Sequence, residues 1–349
     1  MGGDTRVLDA EQVRQFITQG YTVVRGALPA QLVAEVADLT WHELRTAYGV
    51  DRDDPSTWLA WGVGGPGYFR TTGQSRTIDL ASEAPRAWAA IAEALGGEDR
   101  VYPSRPDGPN PAAGGLAWSA RVIANLGPVG EWTPPCPQQP GWHKDGWHFR
   151  HFLDSPEQGL LVVPFYSDVR RRAGGTVVAT DSVGPVARLL ADHPEGVHPD
   201  SMQGSYLIPG LIEQCSQFDE LVGEAGDLAL VHPFVLHRAV PNPTSDVRFI
   251  ANAVIALRQP MQFDRADGNY SLVERAILAA LATDRVAYTP TAEREFVTPA
   301  PMRDEPTQHR EQERLDKEKR AFARAGILSP PWATQVGYDS NRDQPSSTG

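Results

Sequence analysis

The stretch GDLALVHPFVLHRAVPNPTSDVRFIANAVIAL, residues 226 to 257, alternates short apolar runs with proline, asparagine and aspartate. Runs of that length, cut by turn formers, are what the strands of a β sandwich or barrel leave in a sequence. The same texture begins near residue 118, in ARVIANLG, GLLVVPFYSDV and GGTVVAT, and ends near 258. It predicts a β core over 118–258. Within the quoted stretch, ALVHPFVLHRAV reads as one regular strand, on which His232 and His237, five residues apart, face opposite sides. PNPTS at 241–245 is the strongest turn signal of the region, and the midpoint between His237 and Arg248 falls inside it, between Asn242 and Pro243. A hairpin about that turn would set His237 opposite Arg248 with both side chains on one face.

A second stretch, GWHKDGWHFRH at 141–151, carries three histidines, a lysine and an aspartate. If it is extended, His143, Asp145 and Trp147 point one way and His148 the other. An imidazole and a carboxylate at i and i+2 supply two adjacent ligands of the kind non-heme Fe(II) sites use, and one further histidine would leave half the octahedron open. An isolated His-x-Asp is common and says little. The distal histidine gives it meaning, and of His232 and His237 the hairpin favours His237, because it brings Arg248 beside the open half. A guanidinium is a planar fork of donors suited to a carboxylate, so the iron is expected to have an acidic co-substrate. His148 and His151 read as bystanders.

The whole chain of 349 residues is 41% hydrophobic, enough to fill a core. Its 32 basic against 44 acidic residues give a formal charge of -12, which disfavours nucleic acid and membrane surfaces as partners and leaves a small molecule. There is no basic segment leading into an apolar run at the start and no long uncharged apolar stretch, so a cytoplasmic protein is expected. Cys136 and Cys215 are too few for a disulfide framework and lack zinc-site spacing, which makes both free thiols. GVGGPG at 62–67 matches the dinucleotide-binding pattern but has no strand before it or helix after it, and reads as an open loop. No P-loop, HExxH or GxSxG is present, so nucleophilic catalysis has no candidate.

Outside the core the periodicity predicts helices at 9–19, 29–48, 84–96, 270–284 and, more charged, near 305–325, with a short strand at 21–26. Residues 1–330 are expected to form one domain: a helical N-terminal part over 1–117, the β core, and a helical C-terminal extension over 259–330. The tail at 331–349 is expected to be partly disordered.

On WHKDGWHF (142–149) and GDLALVHPFVLHRAVPNPTSDVR (226–248), with LDAEQVRQFITQGYTVVRGALP (8–29) as an N-terminal entry, the chain resembles the phytanoyl-CoA dioxygenase family of Fe(II)/2-oxoglutarate oxygenases. The resemblance covers about residues 8 to 258. It implies a mainly β fold with flanking helices around a double-stranded β-helix, or jelly-roll, core of cupin-like type. It further implies His143, Asp145 and His237 as iron ligands and Arg248 as the clamp on the distal carboxylate of 2-oxoglutarate, with Asn125 and Lys144 lining the co-substrate pocket. Reaction with O2 would release succinate and CO2 and hydroxylate, or otherwise oxidise, a small molecule of the kind specialised metabolism makes. Related halogenases have a small residue at the position of Asp145, so its carboxylate argues against halogenation. The acidic balance disfavours a CoA thioester. Trp147, Trp61 and Tyr68 are candidate substrate contacts. The chain departs from the pattern at Ala239, where a hydroxyl residue is usual, at Lys144, and at GGTVVATDSVG (174–184), where Asp181 and Ser182 would serve a different substrate. The competing reading is a non-catalytic jelly-roll binding protein or a cupin-type metal isomerase.

Overall fold

The computed structural model describes residues 6–72, 76–102, 117–146, 148–197 and 210–296. Numbered along the chain, its strands are β1 (Tyr21–Val24), β2 (Trp61–Gly62), β3 (Gly65–Pro66), β4 (Tyr68–Arg70), β5 (Thr77–Asp79), β6 (Ala117–Ser119) and β7 (Ile123–Leu126). After these come β8 (Leu160–Pro164), β9 (Thr176–Ala179), β10 (Phe218–Leu221), β11 (Leu228–Val231), β12 (His237–Ala239), β13 (Val247–Ile250) and β14 (Ala253–Ile255). Every pairing is antiparallel. Three ladders build the core: β1-β11-β8-β14, β13-β7-β4 and β10-β9-β12. The first two are stitched into one layer by the Phe165–Ile250 bridge and the bond from Tyr166 N–H to Phe249 C=O, so β13 and β14 run past β8 in succession. The third ladder is the opposing layer, and one cavity between them is lined from both. This is the expected mainly β, jelly-roll arrangement.

Strand β8 shows why the layers hold. Its run LLVVP is buried throughout; Leu161 and Val163 line the cavity while Leu160 and Val162, turned the other way, are fully buried too. A strand covered on both faces needs such an unbroken apolar run, and each of these side chains contributes on the order of 1.5–3 kcal/mol by leaving water.

The helices are α1 (Ala10–Gln19), α2 (Ala30–Tyr48), α3 (Leu80–Glu83), α4 (Pro85–Leu95), α5 (Val183–Asp192) and α6 (Leu272–Ala280). Asp9 and Gln12 form a capping box at the start of α1, and Gly20 closes it in the left-handed region. A Cβ at Gly20 would meet Val235 at 2.5 Å, so the chain can turn there only without a side chain. Helix α6 packs against α1, α4 and α5. Its Glu274, wholly buried, closes a second capping box with Ser271 and pairs with Arg100 at 2.6 Å.

Several expectations change. The run 229–240 is not one strand. β11 ends at Val231, Val235 N–H bonds back to His232 C=O, Phe234 N–H donates to His232 Nδ1, and β12 starts at His237 in the other layer. Pro233 has no N–H with which to continue a ladder, and the His232 side chain offers the backbone a turn instead. Nor is PNPTS a hairpin. β12 pairs with β9 while β13 pairs with β7, so His237 and Arg248 are not partners, and the segment between them crosses from one layer to the other. Fully buried Asn242 organises that crossing: Nδ2 donates to the carbonyls of Asn125 and Asp246, and Oδ1 accepts from Thr244. GVGGPG is a tight hairpin of β2 and β3 rather than an open loop. Its Gly62 is pressed against the backbone of Tyr68, whose oxygen a Cβ would meet at 1.8 Å. The part expected to be helical supplies β1 and β4 to the core, and α5 interrupts the region read as β alone. The helix expected near 305–325 and the tail lie outside the described residues.

His232 is fully buried and burial lowers its pKa from 6.5 to about 3, so it stays neutral in the folded chain. A group whose folded pKa is depressed stabilises the fold above its unfolded value, and that contribution is lost as pH falls from about 6.5 toward 3. Denaturation across this range should show stability falling with pH. In His232→Asn, whose Oδ1 can still accept from Phe234 N–H, the fall should be shallower; an unchanged slope would place the titrating group elsewhere.

Candidate metal centre

Two of the expected ligands are joined through their backbones. His143 N–H donates to His237 C=O at 3.0 Å, and His237 N–H returns the bond to His143 C=O at 2.9 Å. This bridge extends the β10-β9-β12 layer by one residue and brings the two imidazole centroids to 4.3 Å. Each ring is then oriented by its inner nitrogen: His143 Nδ1 lies 2.8 Å from Gly141 C=O and His237 Nδ1 3.1 Å from Val235 C=O. A ring nitrogen facing a carbonyl carries the proton, which leaves the Nε2 lone pairs directed at the centre. His237 Nε2 is buried and has no hydrogen-bond partner.

The third expected ligand follows two residues after His143. Asp145 Oδ1 lies 3.7 Å from His143 Nε2, and Oδ2 lies 3.7 Å from His237 Nε2. Ligand atoms from the three side chains all fall within 4.8 Å of one another, a group that fits a divalent ion with two nitrogen donors and one carboxylate. The ring electrostatics suit it. Burial, with help from His237, takes the His143 pKa from 6.5 down to about 4, so it is neutral and able to coordinate near neutral pH. Burial pushes the Asp145 carboxyl up, but His237, His143 and Asn252 outweigh it and hold it below the ordinary value, ionised.

The loop that delivers His143 is anchored by Trp142, fully buried, whose ring packs 5.2 Å from Phe218 and whose Nε1 donates to Cys136 C=O. On the far side of Asp145, Gly146 takes φ +115, and a Cβ there would meet His151 at 2.6 Å and Phe149 at 2.8 Å. No other residue fits that corner.

Arg248 is 1% exposed and lines the same cavity from the opposing layer, reaching it by the crossing described above rather than by a hairpin. Nη1 donates to Ile123 C=O at 3.3 Å, the guanidinium lies 5.9 Å from the Tyr68 ring, and Nε is buried without a partner. Burial pulls its pKa below the ordinary value. Among the described residues no carboxylate pairs with it, although buried charges are normally paired. The cavity encloses about 530 Å³, its open mouth included.

The other expected site residues fare differently. Tyr68 lines the cavity beside Arg248. Asn125 is the register partner of both Arg248 and Tyr68, but its amide is committed to the carbonyls of Gly174 and Val240. Lys144 points away from the cavity, as alternation demands; its buried ammonium donates to Asp145 C=O, His151 Nδ1 and Gln158 Oε1, and burial lowers its pKa to about 7. Trp61 is 77% exposed on the β2-β3 hairpin and does not line the cavity. Trp147 lies outside the described residues. His232 belongs to the helix side, against Phe16 and Val273. Asp181 caps Ser216 and Gln217, and Ser182 ties Ala179 to Leu236, so both are structural. Cys136 and Cys215 are free thiols.

Among the lining residues that escaped the sequence, Asn252 and Arg70 carry polar chemistry. Asn252 Nδ2 donates to Asp145 Oδ2 at 3.0 Å, and Arg70 lines the cavity from β4. Asn252 shares parity with Arg248 along one run of chain and was findable by that rule. Arg70 lies just beyond the GVGGPG run and gave no signal.

No family model matches the chain, and no curated protein matches it. Among solved structures it is similar to EctD from S. alaskensis with bound Fe, at 16% identity over 84% of this chain and 90% of that one, with a TM-score of 0.42. It is similar too to SnoN, the non-heme alpha-ketoglutarate-dependent epimerase of nogalamycin biosynthesis, at 20% identity over 70% and 82%, TM-score 0.40. AviO1 from Streptomyces viridochromogenes Tue57 follows at 12% over 73% and 97%, TM-score 0.39. Among the described residues no helix is long and apolar enough to cross a membrane.

In anaerobic titrations with Co(II), the wild-type chain is expected to bind one equivalent. Asp145→Ala and His237→Ala should each weaken binding by on the order of 100-fold or more, and His232→Asn should leave it unchanged. Loss of binding in His232→Asn with retention in His237→Ala would reassign the third ligand.

Proposed function

We propose that this chain is an Fe(II)/2-oxoglutarate-dependent dioxygenase of the phytanoyl-CoA dioxygenase type, oxidising a small molecule with release of succinate and CO2. The observation that carries the reading is one cavity lined by His143 and His237, with Asp145 grouped beside them, and by a buried arginine that no carboxylate among the described residues pairs with. A ferrous ion at His143, Asp145 and His237 would supply the redox chemistry that activates O2 and drives oxidative decarboxylation of the oxo acid.

The residues do the rest. His143, kept neutral by burial, and His237 are each locked by an Nδ1 bond and present Nε2 to the centre. Asp145 brings a single negative charge and fills a position that halogenation would need vacant, which supports hydroxylation or another oxidation. Arg248 supplies the fork for a distal carboxylate and, being desolvated, bonds it more strongly than a surface arginine could. Tyr68 lies beside that guanidinium, its ring centroid 5.9 Å away. Ala239 lines the cavity where the family pattern has a hydroxyl, so the arginine carries more of the co-substrate's recognition. Leu161, Val163, Val178 and Ile250 form an apolar wall that limits water around the reacting groups. Residues 1–330 are read as one such domain, with a small molecule as substrate and the cytoplasm as its place.

Purified protein given Fe(II), 2-oxoglutarate and O2 should form succinate, and omission of iron or oxo acid should abolish it. Arg248→Met should raise the apparent Kd for 2-oxoglutarate by roughly 30- to 1,000-fold, read from the weak visible band of the anaerobic Fe(II) complex. Metal binding with no succinate from any candidate substrate would favour the jelly-roll binding protein or the cupin-type isomerase instead.

A further inference from the structure

The three ligands are not held alike. His143 and His237 sit on a shared backbone bridge with their rings pinned by carbonyls, whereas Asp145 lies on a bend outside any ladder, followed by a glycine with positive φ. Its backbone is tethered by Lys144 Nζ at the carbonyl, but that leaves the carboxylate free to rotate. Among the described residues one side chain hydrogen-bonds that carboxylate: Asn252, through Nδ2 to Oδ2 at 3.0 Å.

Resting on the metal reading above, we propose that Asn252 is a positioning residue whose amide fixes the Asp145 carboxylate so that both oxygens stay aimed between the two imidazoles. The donor must be Nδ2, since an amide oxygen there would repel the carboxylate. A neutral amide suits the task because it orients the anion without adding charge, whereas a lysine or arginine would compete with the metal for the same oxygens. Asn252 reaches the carboxylate from the layer opposite the histidines. It lies on the run Arg248, Ile250, Asn252, whose alternate side chains line the cavity. Five consecutive residues thus carry both the carboxylate clamp and the brace on the metal's acidic ligand. The side chain is itself exposed, so the fold has little invested in it.

The test titrates the full-length, metal-free chain anaerobically with Co(II), following its ligand-field bands. Asn252→Ala should weaken binding by roughly 10- to 100-fold and shift the bands, with the melting temperature of the metal-free protein unchanged. Asn252→Leu, of the same branched shape without the donor, should behave alike; a purely structural role would instead move the metal-free melting temperature. Affinity within about twofold of wild type with an unchanged spectrum in both variants would overturn the inference while leaving the metal centre intact. A wild-type chain that develops no Co(II) bands would remove the metal centre and the proposed function together.

Discussion

Two hydrogen bonds between the backbones of His143 and His237 decide where everything else must be. They extend one layer of the sandwich by a single residue, and in doing so they place imidazoles from segments nearly a hundred residues apart side by side. Regular structure does not ordinarily bring a loop residue into a sheet without a strand on either side. Here Trp142, buried against Phe218, supplies the anchorage that a longer strand would otherwise give. Once the pair is made, the carbonyls of Gly141 and Val235 choose the ring tautomers and the lone pairs converge.

The opposing layer contributes charge rather than ligands. Arg248 is desolvated beside Tyr68 and Arg70, with no paired acid among the described residues, an arrangement that is costly unless an anion arrives. Low polarity strengthens such an anion's bond for the same reason that it penalises an unpaired charge. The burial that keeps His143 neutral and the burial that strips water from the guanidinium are one physical condition acting on groups of different chemistry.

Much of this was legible from residue patterns. The apolar runs gave the β core, His-x-Asp put His143 and Asp145 on one side by alternation, and helical periodicity placed the ends of α1, α2 and α4 within a residue. The pairing of His237 with Arg248 was wrong in its geometry and right in its outcome. Both strands end at the same cavity, but from facing layers, because Asn242 turns the intervening chain across the sandwich instead of back on itself. Periodicity has no term for such a crossing. Lys144 was misplaced by resemblance although its parity, opposite to His143 and Asp145, already pointed it away. Arg70 and strand β4 were hidden because glycine-rich sequence around Tyr68 is shaped by close contacts with the backbone, which only tertiary structure reveals.

The crossing between His237 and Arg248 leaves the facing of β13 to its ladder with β7. A strand's side chains alternate, so a one-residue slip of β13 against β7 would turn Arg248 out of the cavity and bring Val247 or Phe249 into it. Substitution at exposed corner positions leaves that register untouched. The ladder therefore acts as a ruler: the corner can drift in identity, while a slipped register would part Arg248 from His143, Asp145 and His237 without altering any of them.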